Sequence, residues 1–371
     1  MNKLYPPVIG GVEHVVRQLA EGFAKRGHDA RVLVATERGR GGVETRDDVR
    51  VRRVSSLGTV LSTPLAPTFP IQLARDASYA DIVHYHLPNP IGVVSHLLVR
   101  PDAPTVVTYH SDIVRQSRAL KVYQPLLERM LADVDRIVTT SPRLRDSSPF
   151  LAPHTDKTTI VPLGIDLDAV NTDGSDADVE ADTNLQPRTD HPVVLTVGRL
   201  NYYKGIEYFV RAAAEVDAEA TFLVVGDGPR RDALESLARS LGVDDCVTFT
   251  GWVDDKTLAT CYSAADIFVF PSVERSEAFG IVQLEAMARS LPIVNTALPT
   301  GVPWVSEHGE TGLTVPPRDE SALADAIERL LSDDDLRAAF GAQARERVSE
   351  TFTESQMVEE TLTVYRTLTI G

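Results

Sequence analysis

Two successive series of short apolar runs, each run separated from the next by a helix-length segment, constrain this chain more than any other feature. In the first series the predicted strands are Arg31 to Ala35, Asp81 to His84, Thr105 to Thr108, Arg136 to Thr140 and Thr159 to Val161. In the second they are Val193 to Val197, Thr221 to Val225, Val247 to Phe249, Ile267 to Phe270 and Ile293 to Asn295. Val12, Val15, Val16, Leu19 and Phe23 fall three or four apart directly after Gly10 and Gly11, which marks an amphipathic helix, and a further helix is predicted near Val114 to Ala132. Strands that alternate with helices form parallel sheets with helices on both faces. The 371 residues suit two such domains. The expected fold class is therefore α/β, with two Rossmann-like doubly wound domains facing a cleft.

The composition shifts after Pro162, Leu163 and Gly164, so the domains are placed at 1–165 and 166–353. An acidic segment over 171–184 reads as a solvated linker or loop, and a last helix over 354–370 is expected to cross back to the first domain. A doubly wound domain begins with a strand that leads into its first glycine turn. Here MNKLY supplies almost none, so the first strand is expected to be truncated or absent, as a misplaced start codon would produce.

The chain has a net charge of −16, and lysine is scarce beside arginine. That surplus argues against nucleic-acid binding, because phosphates would be repelled. It matches the solvated surface of halophile proteins and equally a merely acidic mesophile protein. No run reaches the length of a membrane span, and the opening residues show no charged region followed by an apolar one, so a cytoplasmic location is expected. Cys246 and Cys261 have neither metal nor redox spacing and suit a reducing compartment.

The chemistry concentrates in the second series. Gly198 follows a predicted strand and leaves Arg199 and Lys204 at its carboxyl edge, where open parallel sheets bind ligands. A guanidinium fork and an ammonium point charge there suit a diphosphate; the plain alternative is two solvated surface cations. Glu277 and Glu285 stand eight residues apart with Phe279, Gly280 and Ile281 among the seven between them, and a helix is predicted from about Gly280 to Arg289. Glu277 then lies in the loop before the helix and Glu285 one turn inside it. The amides of Phe279 to Ile281 can cradle phosphate oxygens, and each carboxylate can accept hydrogen bonds from sugar hydroxyls. An acidic residue near a helix start is unremarkable for Glu277, but that does not explain Glu285 among Val282, Leu284, Ala286 and Met287.

In order and spacing, GGVEHVVRQLAEGFAKRGHDARVL, VGRLNYYKGIEYFV, VVGDGP, SEAFGIVQLEAMA and HGETGLTVPPRD resemble the retaining glycosyltransferases of the GT-B type, family four. The resemblance spans nearly the whole chain. It implies transfer of a hexose from a nucleotide-diphosphate sugar to an acceptor hydroxyl with retained anomeric configuration; a lipid-linked or surface glycan acceptor is a separate expectation, drawn from the basic helical region over 115–129. The resemblance gives Arg199 and Lys204 the donor diphosphate, Glu285 the ribose hydroxyls, and Glu277 with the backbone of Phe279, Gly280 and Ile281 the donor sugar and phosphates. Gly10 and Gly11 would let the diphosphate approach, Trp252 and Val253 lie in the nucleobase-side loop, and His110 matches a functional histidine close to the transferred sugar. The nucleotide sugar is the donor substrate, and neither a separate cofactor nor a metal is called for.

His84 and His86 lack the further ligands that zinc needs, and Asp176 with Asp178 reads as solvation. Arg115, Arg118, Lys121 and Arg129 decorate an otherwise amphipathic region, which reads either as an ordinary surface helix or as peripheral contact with anionic lipid through Arg115, Arg118 and Lys121. Three rivals to a transferase are a hydrolase using the two glutamates, a nucleotide-sugar epimerase on the same fold and a non-catalytic sugar-nucleotide binder. A dinucleotide dehydrogenase is disfavoured because VGDGPRR lacks the third glycine of that fingerprint.

Overall fold

The computed structural model describes residues 1–8, 10–61, 63–114, 117–172 and 191–369, excluding the side chains of 117–120 and 171–172. The acidic segment from 173 onward, with Asp176 and Asp178, and the side chains of Arg115 and Arg118 lie outside the described residues. The chain divides into two compact units: Met1–Leu163 together with the chain from Glu354 onward, and Gly164–Thr353.

In the first unit α1 (Gly11–Lys25) leads into β1 (Arg31–Ala35), and an antiparallel pair, β2 (Gly42–Arg46) and β3 (Val49–Val54), extends that sheet in the order β1, β3, β2. After the short hairpin of β4 (Thr59–Val60) and β5 (Thr63–Pro64) and helix α2 (Phe69–Ala77), four parallel strands follow. They are β6 (Val83–Leu87), β7 (Thr105–Tyr109), β8 (Arg136–Thr139) and β9 (Thr158–Ile160), with α3 (Pro90–Val99), α4 (Ser117–Asp133) and α5 (Pro142–Ser147) between them. Residues 1–3 stand where the leading strand belongs. Asn2 donates to Leu33 and Ala35 to Lys3 on the β1 side, while His86 donates to Met1 on the β6 side, yet the segment is too short to count as a strand. No strand is assigned ahead of α1 among the described residues. One apolar cluster of this unit gathers Tyr5, Val16, Val32, Val34, Val49 and Val51 between α1 and the sheet.

The structure departs from the sequence-based expectation in two places. The strand expected at Asp81 to His84 runs from Val83 to Leu87, because His84 and His86 continue the ladder with β7 rather than end it. β2 and β3 had not been expected: β2 is exposed along its whole length and carries no apolar pattern, and β3 alternates valine with arginine as a half-buried strand does.

The second unit opens with α6 (Leu167–Thr172) and builds one parallel sheet. Its strands are β10 (Val193–Val197), β11 (Thr221–Val225), β12 (Val247–Gly251), β13 (Ile267–Phe270), β14 (Ile293–Thr296) and β15 (Gly312–Val315), in spatial order β12, β11, β10, β13, β14, β15. Every residue of β10, β11, β13 and β14 is buried, as strands covered by helices on both faces must be. The covering helices are α7 (Ile206–Ala213), α8 (Arg231–Leu241), α9 (Asp255–Ser263), α10 (Ile281–Ala288), α11 (Val302–Val305), α12 (Glu320–Ser332) and α13 (Asp334–Thr351). Phe209, Phe222, Val194, Ile267, Ile327 and Leu330 lie in its core. The chain winds outward from β10 through β12 and then returns to β13 on the other side of β10. The order therefore reverses between β10 and β13, and ligands of open α/β sheets bind at such a point.

The last helix, α14 (Glu354–Thr369), packs on α1 within the first unit. Gln18 donates to Glu354 at 2.8 Å, and the rings of Phe23 and Tyr365 lie 5.4 Å apart.

Candidate active site

The turn after β10 carries the first two predicted residues to that reversal point. Gly205, at φ 64°, ends the short helical turn Tyr202–Lys204 and starts α7; a Cβ there would collide with the Pro271 carbonyl at the exit of β13. Only glycine lets the two loops come this close. Val273 donates its amide to the Tyr203 carbonyl at 2.8 Å, which ties the same loops together. Lys204 is thereby held over the end of β13, its ammonium 4.9 Å from the centre of the Phe270 ring. Arg199 is exposed and makes no ion pair among the described residues.

Lys204 is not a free cation. Its Nζ lies 2.6 Å from Glu277 Oε2, with the two side chains 13% and 11% exposed, and Ser272 donates its hydroxyl to the same oxygen at 3.2 Å. A pair so far withdrawn from water holds because the charges meet directly and a third group helps. The cation predicted for a diphosphate and the carboxylate predicted for a sugar occupy each other.

Gly280 precedes α10 at φ 80°, and a Cβ on it would come within 2.6 Å of two atoms of the Phe270 ring, the ring beneath Lys204. The Phe279 side chain is buried against Trp304 and Phe352, so only its backbone is offered. Among the described residues the amides of Phe279, Gly280 and Ile281 donate no hydrogen bond, as expected at a helix start. Gln283 donates to the Phe279 carbonyl at 2.9 Å and accepts from buried Asn295, which fixes the loop from below.

One turn into α10, Glu285 is half-buried and accepts a 2.7 Å hydrogen bond from Tyr262 of α9. Burial raises its pKa above the usual carboxylate value, opposed by the Tyr262 bond and by Arg289. Trp252 is 67% exposed just beyond β12, and Val253 beside it is half-buried, ahead of the Asp254 side chain that caps α9.

The other predicted residues belong to the first unit. Gly10 is extended, and a Cβ on it would collide with the Glu13 carboxylate; Gly11 opens α1, and a Cβ on it would meet no described atom within 4 Å. His110 follows β7, is buried, and shares a 2.9 Å hydrogen bond between its Nε2 and His86 Nδ1. The rings of His84, His86 and His110 stack in succession, with centroids 4.6 Å and 5.2 Å apart. His84 is held by the Tyr365 hydroxyl at 2.6 Å and the Thr108 hydroxyl at 2.7 Å. Burial lowers the pKa of His110 to about 4 and those of His84 and His86 well below normal, so all three are neutral at pH 7.

Comparison with known proteins decides what this arrangement is. A model described as Glycosyltransferase Family 4 matches residues 9–169, and one described as Glycosyl transferases group 1 matches residues 180–347. The O-antigen chain mannosyltransferase C of Escherichia coli is 35% identical over 364 residues, which cover 98% of this chain and 96% of that protein. The chain is a group 1 glycosyltransferase. The D-rhamnosyltransferase WbpZ of Pseudomonas aeruginosa is 34% identical over 93% of this chain and 89% of its own. Sucrose-phosphate synthase from Thermosynechococcus elongatus superposes with a TM-score of 0.79 at 26% identity, covering 99% of this glycosyltransferase and 96% of that chain, and the fold is GT-B.

Three groups that touch predicted residues of this glycosyltransferase were not anticipated: Ser272, Phe270 and Tyr262. The first two lie at the end of the strand whose sequence continues into Glu277, so proximity along the chain was an available signal. Tyr262 had none, because its contact with Glu285 exists only once α9 packs beside α10. The sequence offers His86 only the role of a metal ligand; in the structure it holds His110 instead. Among the described residues no group of three or more histidine, cysteine or carboxylate side chains could hold a metal ion.

Proposed function

We propose that this glycosyltransferase moves a hexose from a nucleotide-diphosphate sugar to an acceptor hydroxyl and retains the anomeric configuration. One observation carries the reading: the Lys204 ammonium and the bare amides around Gly280 flank the same Phe270 ring at the sheet's reversal point. A diphosphate is the ligand chemistry that uses a cation and helix-start amides together. The incoming diphosphate takes Lys204 from Glu277, and the carboxylate so released accepts hydrogen bonds from the sugar. Arg199, exposed beside the same turn, supplies the second cation. Glu285 accepts from the ribose hydroxyls, and Trp252 with Val253 borders the nucleobase.

As the bond from the anomeric carbon to the phosphate oxygen breaks, positive charge grows on the sugar and negative charge on the diphosphate. Lys204, Arg199 and the amides of Phe279 to Ile281 are fixed where that negative charge develops, so they favour the transition state. They supply the neutralisation for which other transferases use a divalent ion. The acceptor oxygen bonds to the anomeric carbon from the face the phosphate leaves, and its proton passes to the departing phosphate. In the first unit we assign His110, neutral at pH 7, a hydrogen bond to the transferred sugar, and Gly10 and Gly11 the space for the diphosphate.

The mannosyl- and rhamnosyltransferase relatives support a hexose or deoxyhexose of that kind as the transferred unit and a glycan under assembly as the acceptor. No described helix is long and apolar enough to cross a membrane. For a lipid-linked acceptor, peripheral contact would run through α4, where Lys121 and Val122 are exposed. Incubation with guanosine- and uridine-diphosphate sugars and candidate acceptors, followed by mass detection, tests the reaction. A product heavier by one sugar with the anomeric configuration of the donor is expected; an epimerised donor or an inverted product refutes it. Flotation with anionic vesicles, lost on charge reversal at Arg115, Arg118 and Lys121, is the expected result for the membrane contact.

A further inference from the structure

We propose that Tyr262 is a positioning residue for nucleotide recognition: its hydroxyl fixes one oxygen of Glu285 and so presents the other to the ribose of the donor. This rests on the assignment of Glu285 to the ribose made above. The Tyr262 hydroxyl lies 2.7 Å from Glu285 Oε2 and 3.3 Å from the Val282 carbonyl. Both neighbours are acceptors, and a phenol has one proton to give. The shorter contact and the ionised partner take it, so Tyr262 is the donor and the carboxylate the acceptor.

The donor is itself immobile. Tyr262 is 1% exposed; its ring lies 5.8 Å from that of Phe268, and the Arg289 guanidinium sits 5.1 Å from its centre. Glu285, by contrast, projects on a flexible stem from a helix, and Arg289 donates to its main-chain carbonyl at 3.3 Å. Glu285 Oε1 accepts no hydrogen bond among the described residues. A carboxylate clamped through one oxygen keeps the lone pairs of the other aimed in one direction, which is what reading a pair of vicinal hydroxyls requires. Without the phenol the same half-buried carboxylate loses a partner that favours its ionised form and gains freedom to turn.

The discriminating measurement is a ratio. Calorimetric titration with UDP and GDP, each against its 2′-deoxy counterpart, gives the preference for ribose over deoxyribose. A hydrogen bond to a charged group predicts a preference of about tenfold or more in the unaltered protein. Tyr262→Phe keeps the ring against Phe268 and is expected to reduce that preference to about threefold or less, while a melting transition verifies that it is folded. Tyr262→Met, equally without a hydroxyl, carries the same expectation if the phenylalanine variant does not fold. Glu285→Ala is expected to abolish the preference altogether. If Glu285→Ala abolishes it and both Tyr262 variants keep the full ratio, the positioning role is overturned and the ribose assignment stands. If Glu285→Ala keeps the full ratio, or the unaltered protein has none, the ribose assignment fails and takes the positioning role with it.

Discussion

Removing the Lys204 ammonium should cost this protein far more than the loss of an ordinary surface lysine. At 2.6 Å from Glu277 the attraction is gross about 6 kcal/mol for an effective dielectric near 20, most of it offset by the desolvation of two groups only 13% and 11% exposed. The net worth of the pair is therefore small. Lys204→Met is a different matter, because it strands the buried Glu277 carboxylate with one neutral donor, the Ser272 hydroxyl at 3.2 Å. Leaving one partner of a buried pair costs about 3–5 kcal/mol. For a unit of this size that lowers the melting temperature by about 6–20 °C, at about 2–4 °C per kcal/mol. The double variant Lys204→Met, Glu277→Gln removes the stranded charge and should recover most of the loss, and both variants should lose donor binding. Calorimetric melting of the two single variants and the double one closes the cycle. A Lys204→Met protein that melts within about 1 °C of the unaltered chain, or a double variant no more stable than the single, would refute the claim that the two groups neutralise one another.

Other outcomes follow from the same geometry. Gly280→Ala must adopt φ 80° and bring its methyl within 2.6 Å of the Phe270 ring, so a loss of about 2–4 kcal/mol in thermal or urea unfolding is expected, with weaker nucleotide binding in whatever remains folded. Burial holds the folded pKa of His110 near 4, below its unfolded value of 6.5, and lowers those of His84 and His86 as well. The unfolded chain therefore binds more protons in that window, and stability should fall as pH drops from 6.5 towards 4; melting followed against pH should show a shallower slope in His110→Phe. For Glu285, whose folded pKa is raised, the sign reverses: the buried carboxylate costs stability above its unfolded value of 4.5. Glu285→Gln should melt no lower than the unaltered protein at pH 7 while binding nucleotide less tightly, a trade of affinity for stability that a paired melt and titration would expose.

Much of this was legible in the chain itself. β10, β11 and β13 fall where their apolar runs predicted, because strands buried on both faces leave an unbroken apolar signature. Gly280 ahead of α10, and the amides it leaves open, followed from a glycine placed just before an apolar periodic segment. β2 stayed hidden because a strand at the rim of a sheet faces water and needs no apolar run, and β3, between β1 and β2, because its valines are interrupted by arginines. Side-chain chemistry was visible residue by residue but not pair by pair. Lys204 and Glu277 read as one cation for a diphosphate and one acid for a sugar, since nothing in their separation of 73 residues tells that β10 and β13 are neighbours. Tyr262 carried no motif at all.

By itself, then, the order of residues determined which segments become strands and helices, where the glycine turns fall, and which family's pattern the polar residues follow, because each depends on local periodicity and backbone freedom. Only the tertiary structure decided who partners whom: Lys204 with Glu277, Tyr262 with Glu285, His86 with His110. Those pairings depend on strand order and on helices meeting side by side, and they are settled by the cost of burying a charge or a polar atom without a partner.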